Sequence, residues 1–285
     1  MRRILALILI FLGSNATAAP ASPLAVYKLE PYRKTIALHA SVYGHDGLFL
    51  FDTAGGITVI SPAFAKVVGC TPWGRLSGFR MMGDRLDTPR CDNLDIRLGQ
   101  DHYQLPVASV LDIAPLIAKD AAPLEGSIAL DLFAGKTITV DLPGRRLIVE
   151  SPASLRERTA GLRPLPVQLS REMQGRALAA SLGVPTPRGM VWFELDTGNG
   201  GTLLVSQPYA SLFGLDPTAK GPQTADFPVA PGLRAQWRAF TPDMILDGNL
   251  GMPFLRDKVL TLDLASGRLW IAPAPTPRIA ATPAL

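Results

Sequence analysis

The chain has 285 residues, 47% of them hydrophobic, and a formal charge of +4. That length accommodates one large domain or two modest ones with a real core. Of the 28 basic residues, Arg2 and Arg3 fall in the leader described next, so 26 remain against 24 acidic ones; they are scattered, with no Lys/Arg run beside aromatics, which argues against a nucleic-acid partner.

Met1-Arg2-Arg3, the apolar run Ile4 to Leu12 and the A-x-A pattern Ala16-Thr17-Ala18 read as a secretory signal peptide over residues 1–18. The run is shorter than the roughly 20 apolar residues a membrane span needs, and Ser14-Asn15 follow it. The expectation is an exported protein, periplasmic or secreted, with no stable membrane insertion after cleavage. In such a compartment Cys70 and Cys91 either bridge or sit as two separate buried thiols; both readings stand. Neither cysteine nor the isolated His39, His45 and His102 forms a zinc pattern, so neither a metal nor a cofactor is expected.

After a loose lead-in, Val26 to Val42 nearly alternates apolar and polar residues, with Ile36, Leu38 and Ala40 on one side, as strands do. Gly44-His45-Asp46-Gly47 has hairpin-turn composition. Leu48-Phe49-Leu50-Phe51 is a fully apolar strand leading to Asp52-Thr53-Ala54-Gly55-Gly56. Ser61-Pro62 reads as an N-cap with Pro at the first helical position, opening a short helix through Val68 that Gly69 ends. Trp73 to Arg90 reads as a Gly-rich hairpin with Phe79, Met81 and Met82 near its tip. Leu94 to Leu98 and Leu105 to Leu111 are further strands.

The closing block Gly126-Ser127-Ile128-Ala129-Leu130-Asp131-Leu132-Phe133 and Thr137 to Asp141 has a counterpart in Gly248 to Leu255 and Val259 to Asp263. Gly126 to Asp141 and Gly248 to Asp263 both span 15 positions. A second turn, Glu194-Leu195-Asp196-Thr197-Gly198-Asn199-Gly200, repeats the first. The chain is therefore read as an internal duplication, too long in period for a solenoid. A first lobe spans 24–150, a linker 151–166, a second lobe 167–273, and a Pro/Ala-rich disordered tail 274–285. From turn to closing block is 74 positions in the first half and 52 in the second, so a flap belongs to the first lobe.

If the halves pack about a pseudo-twofold axis, Asp52 and Asp196 face each other. Two carboxyl groups about 3 Å apart cannot both ionise cheaply and so share a proton. One can then polarise a peptide carbonyl while the other takes a proton from an attacking water. Thr53 and Thr197 are placed to hold the two turns together, and Ala54, Gly55, Gly198 and Asn199 to bring N–H groups to the carboxylates.

Asp-Thr-Ala/Gly-Gly after an apolar strand, a later Gly-x-Leu-Gly-Met-x-Phe-Leu block and a Thr-x-Asp ending resemble the aspartic protease superfamily. Each half looks like a retropepsin-like domain, and the fused pair looks like a pepsin-like bilobal arrangement. The resemblance implies an all-β fold of two related β-barrel-like lobes with short helices, a central cleft and a flap. It also implies a monomeric aspartic endopeptidase acting on peptides or unfolded proteins through Asp52 and Asp196. The alternative is a non-catalytic, peptide-binding relative of the same fold. That alternative draws on departures from the family pattern beside the expected pair: Ala54 for Gly, Gly55 and Asn199 for a hydroxyl residue, and a third acid, Glu194, close to Asp196. A Ser-His-Asp hydrolase is not supported, because no G-x-S-x-G elbow occurs.

Overall fold

The computed structural model describes residues 21–117 and 120–273; the expected leader (1–18) and tail (274–285) lie outside them. The first half runs β1 (Ala25–Lys28), β2 (Glu30–Tyr32), β3 (Thr35–Val42), β4 (His45–Phe51), β5 (Val59–Ile60), α1 (Pro62–Val67) and β6 (Trp73–Phe79). It continues through β7 (Arg85–Leu98), β8 (Asp101–Val110), β9 (Gly126–Ile128), β10 (Thr137–Asp141) and β11 (Arg146–Val149). Next come α2 (Pro152–Arg158), β12 (Val167–Ser170), β13 (Ala179–Thr186), β14 (Gly189–Asp196), β15 (Leu203–Val205), β16 (Gln223–Ala230) and β17 (Leu233–Phe240). The chain ends in β18 (Gly248–Gly251), α3 (Met252–Leu255), β19 (Lys258–Asp263) and β20 (Arg268–Pro273).

The architecture is all-β with short helices. Eight strands form the first lobe's sheet, β2-β3-β4-β9-β5-β8-β7-β6, and seven form the second's, β12-β13-β14-β18-β15-β17-β16. Alternation sets the faces: in β3, Ile36, Leu38, Ala40 and Val42 are buried while His39 is exposed. Phe51, Phe133 and Tyr103 meet edge-on inside the first lobe, and Phe193, Phe213 and Phe227 cluster inside the second. Fully burying each such ring is worth about 1.5–3 kcal/mol.

A third sheet, β1-β11-β10-β19-β20, joins the halves. Its centre is the antiparallel pairing of β10 with β19, in which Thr139 opposes Thr261. Their hydroxyls meet at 2.9 Å at the centre of this sheet. The closing strands therefore pair with each other as well as each within its own half. The loops after β10 and β19 repeat one device: Asp141 binds Arg146 and Asp263 binds Arg268, in both cases five residues on.

Local signals explain the connections. The Ser61 hydroxyl accepts from the Phe64 N–H at 3.0 Å, and Pro62 fits the first helical position of α1. The turn before β4 is Tyr43-Gly44, both at positive φ (49° and 85°), and not the four residues expected: His45 and Asp46 already pair with Val42 and Ser41. The stretch 151–166 is not featureless either. Ser151 caps α2 and Ser154 answers it in a capping box, while Glu150 is buried against Thr139, Ser154 and Arg158. Cys70 and Cys91 form a disulfide that ties the end of α1 to β7, which decides between the two readings of these cysteines.

Candidate active site

Each Asp-Thr turn grows from a strand held in parallel register. In the first lobe β4 pairs with β9, and the Asp52 N–H donates to the Ile128 carbonyl at 3.0 Å. In the second, β14 pairs with β18, setting Asp196 opposite Gly251. The chain then bends, and the two bends interlock. The Thr53 N–H donates to the Thr197 hydroxyl (3.0 Å) and the Thr197 N–H to the Thr53 hydroxyl (3.1 Å). Each hydroxyl donates in turn to the other lobe's backbone, Thr53 to the Leu195 carbonyl (2.5 Å) and Thr197 to the Phe51 carbonyl (2.7 Å). Both threonines are buried, so these four bonds lack water competition.

Across this brace Asp52 and Asp196 lie close enough for each carboxyl to act on the other's proton affinity. The closeness explains Gly198: a Cβ there would lie 2.7 Å from an Asp52 carboxylate oxygen, so a side chain at that position would push the first acid off the second turn. Burial is the main cause that raises both carboxyls above the ordinary range; for Asp52 the charge of Asp196 adds to it. Asp52 is partly open to solvent, whereas Asp196 is 4% exposed.

The donors are unequal. The Asp52 carboxylate receives the Ala54 N–H (3.0 Å), while the Gly55 N–H donates to the Asp52 backbone carbonyl (3.3 Å). Asp196 receives the N–H groups of Gly198 (2.8 Å) and Asn199 (2.9 Å) on one oxygen and the Asn249 side-chain amide (2.7 Å) on the other. Asn249, fully buried on β18, is a site residue that the sequence reading missed. It stands opposite Glu194 in the β14–β18 register. Its side-chain carbonyl accepts from the Asn199 amide at 2.9 Å. The hydroxyl absent at Asn199 is thus replaced at the outer oxygen of Asp196 by an amide from another strand. The signal was the alignment of Asn249 with Ser127 in the two closing blocks.

Glu194 is pushed well above the usual carboxylate range, first by burial, then by the charges of Asp196, Asp52 and Glu172. A third carboxyl therefore sits near the pair and holds its proton more tightly than an ordinary glutamate.

The hairpin of β6 and β7 bridges the lobes. At its tip the Met81 carbonyl accepts from the Ile245 N–H at 3.0 Å, and lower down Met173 packs against Gly78. Phe79 and Met82 are exposed, and the tip is seated on Ile245. Among the described residues, no three His, Cys, Asp or Glu side chains converge as a metal site, and no helix is long and apolar enough to cross a membrane.

No protein-family model and no curated protein matches the sequence. Solved structures do match the fold. A basic 7S globulin from soybean aligns at a TM-score of 0.55 and 10% identity, over 87% of this chain and 94% of that one. Conglutin gamma, a unique basic 7S globulin from lupine seeds, aligns at 0.53 and 11%, over 86% and 94%. At these identities the likeness shows a shared fold and nothing finer.

Proposed function

We propose that the protein is an exported aspartic endopeptidase that hydrolyses peptide bonds of peptides or unfolded proteins through a water held between Asp52 and Asp196. The observation that carries this is the reciprocal threonine brace, which sets Asp52, partly open to solvent, beside the buried Asp196. The donor count assigns the roles. With three donors Asp196 is the better anion and acts as base; Asp52, with fewer donors, holds the proton. Asp196 takes a proton from water as the oxygen attacks the scissile carbon, and Asp52 gives its proton to the carbonyl oxygen. The resulting gem-diol collapses as Asp196 returns its proton to the leaving nitrogen and a diol hydroxyl returns one to Asp52. Both carboxyls end as they began.

The test is cleavage of an unfolded protein between about pH 3 and 7, the window in which a shared proton persists. Wild type should cut, and Asp52→Asn and Asp196→Asn should each abolish cutting; a variant that still cuts refutes the shared role. The Cys70–Cys91 disulfide is compatible with export.

A second reading, a peptide-binding protein that does not cut, is favoured by the fold neighbours, both globulins by name, and by Glu194 crowding the pair. Wild type that binds an unfolded apolar peptide at every pH tested and never cleaves it selects this reading.

A further inference from the structure

Beside the second turn lies a pocket of about 590 Å³, bordered by Gly200 and Gly201 and walled by Arg33, Lys34, Arg145, Arg238, Arg256 and Trp237. No carboxylate lines it. The cations arrive from four places: the β2–β3 turn, the β10–β11 turn, β17 and the end of α3. Both lobes contribute.

Nearby acids do not neutralise this wall. Arg33 alone has a carboxylate partner among the described residues, the exposed Asp120. Asp141, close to Arg145 in sequence, binds Arg146 instead, and Asp257, next to Arg256, binds Lys258. Arg33 and Arg145 both stand at positive φ, 52° and 53°, which non-glycine residues adopt at a cost. The aromatic wall is fixed from two sides. The Trp237 indole N–H donates to the Gly201 carbonyl at 3.2 Å, and the Arg256 guanidinium lies over its ring at 5.2 Å. A concavity lined by one sign of charge concentrates potential and draws counter-ions.

We infer that this pocket is a binding site for a small polyanion, a molecule bearing two or more phosphate or carboxylate groups. Its volume suits a small ligand. Four arginines supply planar forks that bind such oxyanions bidentately, which a lone ammonium cannot do. The site does not depend on hydrolysis at Asp52 and Asp196.

The test is calorimetric titration of the full chain at low ionic strength near pH 7, with pyrophosphate and citrate as separate probes. One-to-one binding below about 100 µM by either probe is expected, weakening as salt is added, and the tighter probe identifies the oxyanion class. Arg145→Gln and Arg238→Gln should each weaken it about tenfold or more, whereas Arg156→Gln on the outer face of α2 should not. Lys34→Ala serves as a third probe of the wall should either arginine variant melt early. Absence of binding by both probes, or affinity unchanged in folded wall variants, overturns the inference.

Discussion

Asn249→Ala probes the asymmetry of the carboxyl pair. The substitution removes the amide that donates to the outer oxygen of Asp196 at 2.7 Å. Asn199 loses an acceptor but keeps the Thr202 carbonyl at 3.1 Å, so the turn itself retains support. A hydrogen bond to a charged group is worth about 1.5–3 kcal/mol, so Asp196 should gain roughly ten- to hundredfold in proton affinity. Because Asp196 is already raised in the folded state, the loss falls on its ionised form alone. The bond's contribution should be missing at neutral pH and should vanish below about pH 4, where Asp196 is protonated in both folded and unfolded chains. The assay is urea unfolding of wild type and variant across pH, with carboxyl-carbon NMR following Asp196 directly. A cavity penalty of equal size at every pH is expected underneath, and the same substitution in an Asp196→Asn background isolates it. A pH-independent difference between Asn249→Ala and wild type, or an unmoved Asp196 titration, would refute the donor argument.

Thr53→Ala should destabilise the protein by about 1–3 kcal/mol in urea unfolding, since it leaves the buried Thr197 N–H unpaired, and Thr53→Ser should recover most of the loss. Burial raises Asp131 to about 6 against three donors from Thr58 and Leu132; its stabilising contribution is complete below about pH 4 and is lost as pH rises through about 6. Asp131→Asn should therefore flatten the fall in stability over that interval by about 3 kcal/mol, and an unchanged slope in urea midpoints would count against it. Replacing Cys70 and Cys91 by Ser opens a loop of 21 residues and should cost about 3 kcal/mol in unfolding free energy; a cost near zero would mean the bridge does not form in the purified protein.

The turns were legible because chemistry and pattern coincide there: an apolar run, an acid, a hydroxyl and glycines mark a buried strand ending in a bend. The cap of α1 was legible for the same local reason. Strand register is not local. Nothing near Asn249 in the sequence says that it lies opposite Glu194, because that follows from the parallel pairing of β14 with β18. The pairing of β10 with β19 was hidden likewise, although the repeated blocks supplied both partners. Helix α2 was passed over because seven residues are too few for periodicity to show, though Ser151-Pro152 is the same opening that marked Ser61-Pro62. The cationic pocket draws on four separate segments, each ordinary alone.

The duplication is symmetric where backbone pairs and asymmetric where side chains reach the acids. Thr139 meets Thr261, and Thr53 and Thr197 exchange equivalent bonds. At the carboxyls the copies part in two linked positions. The second lobe has Asn199 and Asn249, joined by a 2.9 Å hydrogen bond; the first has Gly55 and Ser127 at the corresponding places. Glycine has no side chain with which to steady a partner, and the serine hydroxyl is shorter than the asparagine amide by a full branch. An amide at position 249 alone would be free to turn its carbonyl toward Asp196 and repel it. Asn199 prevents this by donating to that carbonyl, which leaves only the NH₂ end to face the acid. The two asparagines thus work as one unit that favours the anion on Asp196, which is the polarity the proposed hydrolysis requires. A perfectly symmetric pair would have no such preference, so the polarity rests on these two side chains.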